Sequence, residues 1–235
     1  MSKKSGNVSE GAAVEAIEQG LSKTEFFLEK NYKVLLILLG CVFAGAIVWL
    51  AYHYLYLEPK NEEAQEQLAI AQQRIAEQQY LTALEGDSVS FDGLVGIIDQ
   101  YGRTKSGKLA KAYAGLVCYR LQRYDEAIDY LKDCSLKDDV LRYTCLGTIG
   151  DCYVQKGLTA ESVAWLENAS EADNDFVAAV YKMKLARVYE DLGRESDALA
   201  LYQVIKDEYV GKVSGVTDVD DVDKYIERLS LKNGK

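Results

Sequence analysis

One proline and one histidine occur in the 235 residues, and the two scarcities exclude different things. With a single proline, little interrupts helical backbone, and abundant Ala, Leu, Lys, Glu and Gln suit a largely helical chain. With His53 as the sole histidine and no CxxC pair, the residues of a zinc shell are missing. Neither GxxxxGK[ST] nor GxGxxG is present, and no nucleophile has a base beside it, so no catalytic residue, metal site or cofactor is expected. His53 reads as a polar side chain at a membrane interface rather than a proton relay. The cluster Asp218, Asp220, Asp221 and Asp223 lacks the glycine and closing glutamate of a calcium loop. It reads as acidic charge favouring the N-terminus of a helix.

Positive charge is also short. Lys and Arg total 27 against 37 Asp and Glu, for a formal charge of -10. Residues 1–33 carry five Lys and five Glu, so the whole excess of acid lies further along. An acidic domain repels phosphate backbones and anionic headgroups, which disfavours nucleic acid and leaves proteins as the expected partners, with no small-molecule substrate.

Charge disappears altogether between Val34 and Leu57, where VLLILLGCVFAGAIVWLAYHYLYL contains no Asp, Glu, Lys or Arg. A helix of that length spans roughly 36 Å, enough to cross a hydrocarbon core of about 30 Å with some tilt. Tyr32 marks one end and Trp49, Tyr52, Tyr54 and Tyr56 the other, as interfacial rings do. Ala44–Gly45–Ala46 imitates a signal-peptide cleavage site, but the apolar run continues well past it. Lys23, Lys30 and Lys33 precede the run, with Lys3 and Lys4 further out, whereas Lys60 is followed by nothing basic until Arg74. The positive-inside rule therefore predicts a cytoplasmic N-terminus and a large domain outside the cytoplasm, in the periplasm of a Gram-negative cell. Before the run, Ser22 and Glu25 have capping-box spacing and predict a short amphipathic helix through Phe26, Phe27 and Leu28. Residues 1–20 read as a mostly mobile tail.

Beyond the membrane segment a helix pair recurs. Small residues fall at Gly115, Gly150 and Ala186 and again at Ala127, Ser162 and Ala198, at intervals of 35 and 36 residues. In each unit the first small residue lets helix A approach helix B, and the second does the same from helix B. Cys118, Tyr153 and Tyr189 take a second helix A position; Leu131, Leu166 and Tyr202 take the bulky position of helix B. Gly157 and Gly193 supply the positive φ that ends helix A, while Gln122 at the equivalent place predicts a different turn there. Upstream, Pro59 closes or kinks the membrane helix. A helix from Asn61 with Ala64, Leu68, Ala71 and Ile75 on one face then predicts a degenerate fourth pair, its partner Phe91–Tyr101 joined through EGDSVS. Downstream, Val222, Tyr225, Ile226 and Leu229 form one face of a terminal capping helix.

The interval is close to the roughly 34 residues of the tetratricopeptide repeat, which these units resemble. The expected fold is all-α: a single N-terminal transmembrane helix followed by a tetratricopeptide-repeat α-solenoid. Its expected divisions are a cytoplasmic tail (1–33), the transmembrane helix (34–57), a membrane-proximal helix pair (58–109), three repeats (110–216) and a capping helix (217–235). Residues 21–230 also resemble the single-pass repeat proteins that are ancillary subunits of the SecYEG translocon, in the form found in Bacteroidetes-like bacteria. The likeness rests on LSKTEFFLEKNYK, YLYLEPK, IIDQYGRTKSGKLAKAYAG, YDEAIDYLK and KYIERL. It implies an inner-membrane protein with a periplasmic docking surface near SecYEG, often beside a membrane-anchored chaperone. A scaffold for envelope assembly or cell division in the same compartment is the alternative.

In such a solenoid the A helices line the binding side, and positions four and five after the first small residue face the groove. That predicts Tyr119, Arg120, Val154, Gln155, Glu190 and Asp191, joined by Asp151 and Arg187 one position after Gly150 and Ala186. Cys41 lies in the membrane segment. Cys118, Cys134, Cys145 and Cys152 lie in the repeats, where they allow either two bridges in an oxidising compartment or four buried thiols filling small-residue positions. Packing is the preferred reading, because Cys134 stands where Ala169 stands one repeat later.

Overall fold

The structure, a computed structural model, describes residues 7–87, 91–132 and 136–233, with side chains from Lys30 to Lys232. The reading of Cys134 and residues 88–90 of the EGDSVS loop lie outside them. The chain divides into two compact units, residues 1–57 and 58–235.

The first unit is helix α1, Asn7–Tyr52, closed by a π-helical turn at His53–Leu57. Its helix begins at Asn7, so Ser22 falls inside α1 instead of capping a new helix, and the expected mobile tail is helical from Asn7. Large apolar side chains along it are exposed, among them Leu36, Ile37, Val42, Phe43 and Trp49. A core helix would bury that face. By length and composition this is the one segment among the described residues able to cross a membrane, and none of its apolar window is buried.

The second unit is helical throughout its described residues: α2 (Glu58–Ala76), α3 (Tyr80–Glu85), α4 (Gly93–Tyr101), α5 (Lys105–Arg120), α6 (Tyr124–Lys132), α7 (Asp139–Gln155), α8 (Thr159–Ser170), α9 (Asp175–Asp191), α10 (Glu195–Glu208), α11 (Thr217–Asp220) and α12 (Val222–Asn233). Helices α5, α7 and α9 are the A helices of three repeats; α6, α8 and α10 are their B partners. Each A helix opens in the same way. Thr104, Asp138 and Asn174 accept hydrogen bonds from the backbone N–H of Gly107, Leu141 and Val177 at 2.9, 2.7 and 3.1 Å, satisfying a donor that would otherwise be orphaned.

Each A helix also ends in the same way. The N–H of Arg123, Leu158 and Arg194 reaches back to the carbonyl of Cys118, Tyr153 and Tyr189, while the residue before it bonds to Tyr119, Val154 and Glu190. This paired bonding satisfies two C-terminal carbonyls and requires a left-handed residue between them. Gly157 and Gly193 provide it at φ 74° and 72°, and Gln122 adopts the same conformation at φ 61°. The expectation of a different turn at Gln122 is therefore corrected: tertiary packing imposes the geometry on a residue that resists it. Gln78, at φ 60°, does so again after α2, where Gln79 bonds back to Arg74.

That turn at Gln78 changes the predicted fourth pair. What reads as one helix from Asn61 onward breaks into α2 and the six-residue α3, and α4 follows as a further short helix. Helix α2 follows the π-helical turn directly, with Pro59 as its second residue, so the turn lies where proline withholds a backbone donor. Between α3 and α4 the chain closes tightly: a Cβ at Gly86, whose φ is 89°, would strike the Phe91 carbonyl.

The small residues set the spacing within each repeat. A Cβ at Gly150 would lie 2.7 Å from Cγ of Leu166, and one at Gly115 would collide with Leu131. Ala127, Ser162 and Ala198 are fully buried on the B helices. Helix α12 ends the stack. Val222 and Leu229 are buried, Tyr225 and Ile226 pack against the same core, and the Tyr225 ring stacks on Tyr202 at 5.2 Å. Three of the four clustered aspartates are held in ion pairs there, Asp218 with Arg187, Asp221 with Lys224 and Asp223 with Lys206.

The turn at Gln122 yields a test. A left-handed non-glycine residue costs about 1–2 kcal/mol, offset in part by the roughly 0.5–1 kcal/mol of extra chain entropy that glycine loses on folding. Gln122→Gly should therefore stabilise the repeats by about 0.5–1 kcal/mol, and Gly157→Ala should destabilise them by about 1 kcal/mol. Urea unfolding followed by circular dichroism reads both; a lower midpoint for Gln122→Gly would contradict the strain at this turn.

Candidate functional site

One face of the second unit carries a cleft of about 520 Å³, lined mainly by first helices: Tyr113, Leu116, Tyr119 and Arg120 from α5, Thr144, Thr148 and Asp151 from α7, and Tyr181 and Lys184 from α9. Ile75 of α2 and Tyr80 of α3 close one end. The lining follows from the repeat. Residues two before and one after the small residue stand on the helix face turned away from the B partner, which puts Tyr113, Thr148 and Lys184 in one row and Leu116 and Asp151 in another.

Rings and charges give the cleft its chemistry. Tyr181 is buried, its ring lying over Gly147, where any side chain would collide with it. The Tyr181 hydroxyl donates to the carbonyl of Thr144 at 3.3 Å. Burial raises the pKa of this phenol, as it does that of Tyr119, with the Asp151 carboxylate adding to both. Gln72 donates to the Tyr113 hydroxyl at 3.0 Å, which orients the ring beside the opening. These hydroxyls are hydrogen-bonding groups on apolar plates.

Asp151 and Lys184 form a salt bridge of 2.5 Å across α7 and α9, with the carboxylate side chain 15 % exposed. Burial pushes the Asp151 carboxyl above the ordinary Asp range, and Lys184 counteracts this only in part. A charge whose desolvation outweighs its partner's attraction adds little to stability. Arg120 is exposed at the rim and makes no ion pair among the described residues.

The eight residues expected to face the groove separate in the structure. Tyr119, Arg120 and Asp151 line the cleft. Val154 packs partly into the core and Gln155 is exposed beyond the cleft. Arg187 and Glu190 lie under the cap instead: Arg187 donates to the Tyr225 hydroxyl at 2.8 Å and pairs with Asp218 at 2.7 Å, and Glu190 pairs with Arg228 at 2.7 Å while accepting from Tyr202. Asp191 is exposed at the end of α9. Sequence reasoning missed Tyr113, Thr148, Tyr181 and Lys184. The signal was available for three of them, since each stands two residues before a small residue that had been recognised.

The thiols lie behind this face. Cys118, Cys145 and Cys152 are buried, and Cys41 is exposed on α1. Burial, reinforced by Glu126, raises the Cys118 thiol to about 11, and burial with Asp151 raises Cys152 to about 12. Neither is a nucleophile at neutral pH.

Stacked A–B helix pairs with an open A-helix face define a helical-repeat protein. A tetratricopeptide repeat family model matches residues 143–176, a stretch that covers most of α7, all of α8 and the start of α9. That family is typically a non-catalytic protein-interaction module. No curated protein matches the chain.

The raised Asp151 carboxyl predicts a pH signature. Between the ordinary Asp value and the raised one, the folded chain binds the proton more tightly than the unfolded chain. The stabilisation that this provides is complete below the ordinary value and is lost as pH rises through the raised one. Asp151→Asn should therefore gain stability relative to the parent as pH increases from about 3 to 7, although Lys184 loses its partner at every pH. Unfolding free energies measured across that range decide it; parallel pH profiles would show that Asp151 is not destabilised by burial.

Proposed function

We propose that this protein is a membrane-anchored interaction scaffold whose A-helix cleft holds a segment of another protein. The observation that carries the reading is the cleft itself: tyrosine plates flanking the Asp151–Lys184 pair, with Arg120 at the rim, on the face that stacked repeats leave open. Rings and guanidinium groups are the usual energetic anchors of protein interfaces. An extended or helical peptide fits a surface with hydrogen-bonding hydroxyls at intervals and both signs of charge. The apolar segment 34–57 supplies the anchor, and the Lys excess before Val34 argues for a cytoplasmic N-terminus with the repeats in the periplasm. The resemblance to translocon subunits supports a role beside SecYEG, where exported chains or a membrane-anchored chaperone would dock.

Two experiments test this. A photoreactive residue at Leu116 or Arg120 should capture a discrete partner in cells, while the same probe at Gln203 on α10 should not. Equal capture from both faces would sink the cleft as the binding surface. Identification of translocon or chaperone subunits would support the finer role, and capture of envelope-assembly or division proteins would replace it. Protease added to spheroplasts should remove the repeats and spare the N-terminal segment; protected repeats would reverse the orientation.

A further inference from the structure

A concentration of positive charge in an acidic domain is left unexplained by the cleft. From Gly102 to Tyr124 the sequence GRTKSGKLAKAYAGLVCYRLQRY contains no Asp or Glu, although the chain carries -10. Many cations of the second unit are held in ion pairs, as Arg123 is with Glu85 and Glu126, Lys206 with Asp223 and Arg228 with Glu190. Arg103, Lys105 and Lys108 are exposed and make none among the described residues. Local stability does not account for them either. Helices α6 to α10 all carry an acid in the first turn, whereas α5 has none and places Lys105 and Lys108 there. Cations at that end of a helix oppose its dipole.

Their position in the second unit is specific. The Ser106 N–H donates to Oδ1 of Asn61 at 3.0 Å, and its hydroxyl lies 3.4 Å from the Asn61 carbonyl. The start of α5 is thereby fastened to the first turns of α2. Asn61 follows Leu57, the last residue of the apolar run, by four residues, which is about 6 Å of helix. Whatever the angle between the two units, the chain keeps this end of α5 close to the point where the apolar segment leaves the bilayer. Glu58, Glu62 and Glu63 share that end but belong to α2, and Glu63 is engaged by the Tyr101 hydroxyl at 3.3 Å.

We propose that Arg103, Lys105 and Lys108 form a basic contact surface for anionic phospholipid headgroups, seating the repeat domain on the membrane that anchors it. The inference rests on residues 34–57 spanning the bilayer and is independent of which side the repeats occupy. Headgroup phosphates complement three unpaired cations held within a few residues of the bilayer surface, and such attraction falls off within a Debye length, so only cations this close take part.

The test uses the full chain in nanodiscs of phosphatidylcholine alone or mixed with phosphatidylglycerol, probed by an amine-acylating reagent and mass spectrometry. Lys105 and Lys108 should be acylated about fivefold more slowly in the anionic discs, relative to the exposed Lys137 in the same sample, given roughly 1 kcal/mol of attraction per cation. The difference should vanish in 1 M salt. Equal relative rates in the two kinds of disc, with the chain carried in both, would overturn the lipid contact and leave the membrane span standing. A chain that does not co-elute with discs at all would overturn the span and the contact together.

Discussion

The contact between Gly115 and Leu131, repeated at Gly150 and Leu166, is the constraint on which the repeat unit depends. A methyl group at either glycine would overlap the leucine, so the A and B axes sit as close as the backbone allows and the bulky B residue fills the space that the missing side chain leaves. The third repeat keeps the plan with Ala186 opposite Tyr202, both fully buried. Helices α7 and α9 also pack on the B helix of the repeat before them, and the helix A face that neither B helix covers becomes the wall of the cleft. The repeated N-caps and left-handed turns hold each A helix to the same length, which keeps equivalent residues in register from one unit to the next.

Electrostatics acts on this frame without building it. Ion pairs such as Arg142 with Asp139 and Arg194 with Asp197 are exposed and lie within single turns, where solvent screening leaves each with little effect on stability. The Asp151–Lys184 pair differs in burial and in place. It joins two repeats along the cleft, in front of a hydrophobic core in which Cys152, Ile149 and Ala186 are fully enclosed.

The two ends of the stack are finished differently. At the C-terminal end, α12 covers the last repeat with Val222 and Leu229 inward and ion-paired Arg228 and Lys232 outward, so a solvated back replaces the next repeat. The positions of Arg187 and Glu190 that would face a groove in an open repeat are occupied by that cap. At the other end, α2 to α4 break the regular plan: a six-residue helix and two crowded glycines turn the chain, and α5 is tied to α2 through Ser106 and Asn61.

The charge-free run, the small residues and the bulky B positions were legible in the sequence because each reflects a local rule: no charge in hydrocarbon, and no side chain where two axes touch. Helix α12 was legible for the same reason, its apolar face being written at helical spacing. Three features were not. Gln122 and Gln78 carry no mark of left-handed backbone, since their conformation is imposed by the turn that their neighbours' packing demands. Residues Asn61 to Glu85 read as one helix because nothing within them except that turn interrupts the pattern. The cleft was only half readable, because a spacing rule gives the direction of a side chain but not what stands opposite. Whether Arg187 meets a partner or the chain's own Tyr225, and whether Lys184 finds Asp151, depends on which helices lie side by side, and only the assembled stack decides that.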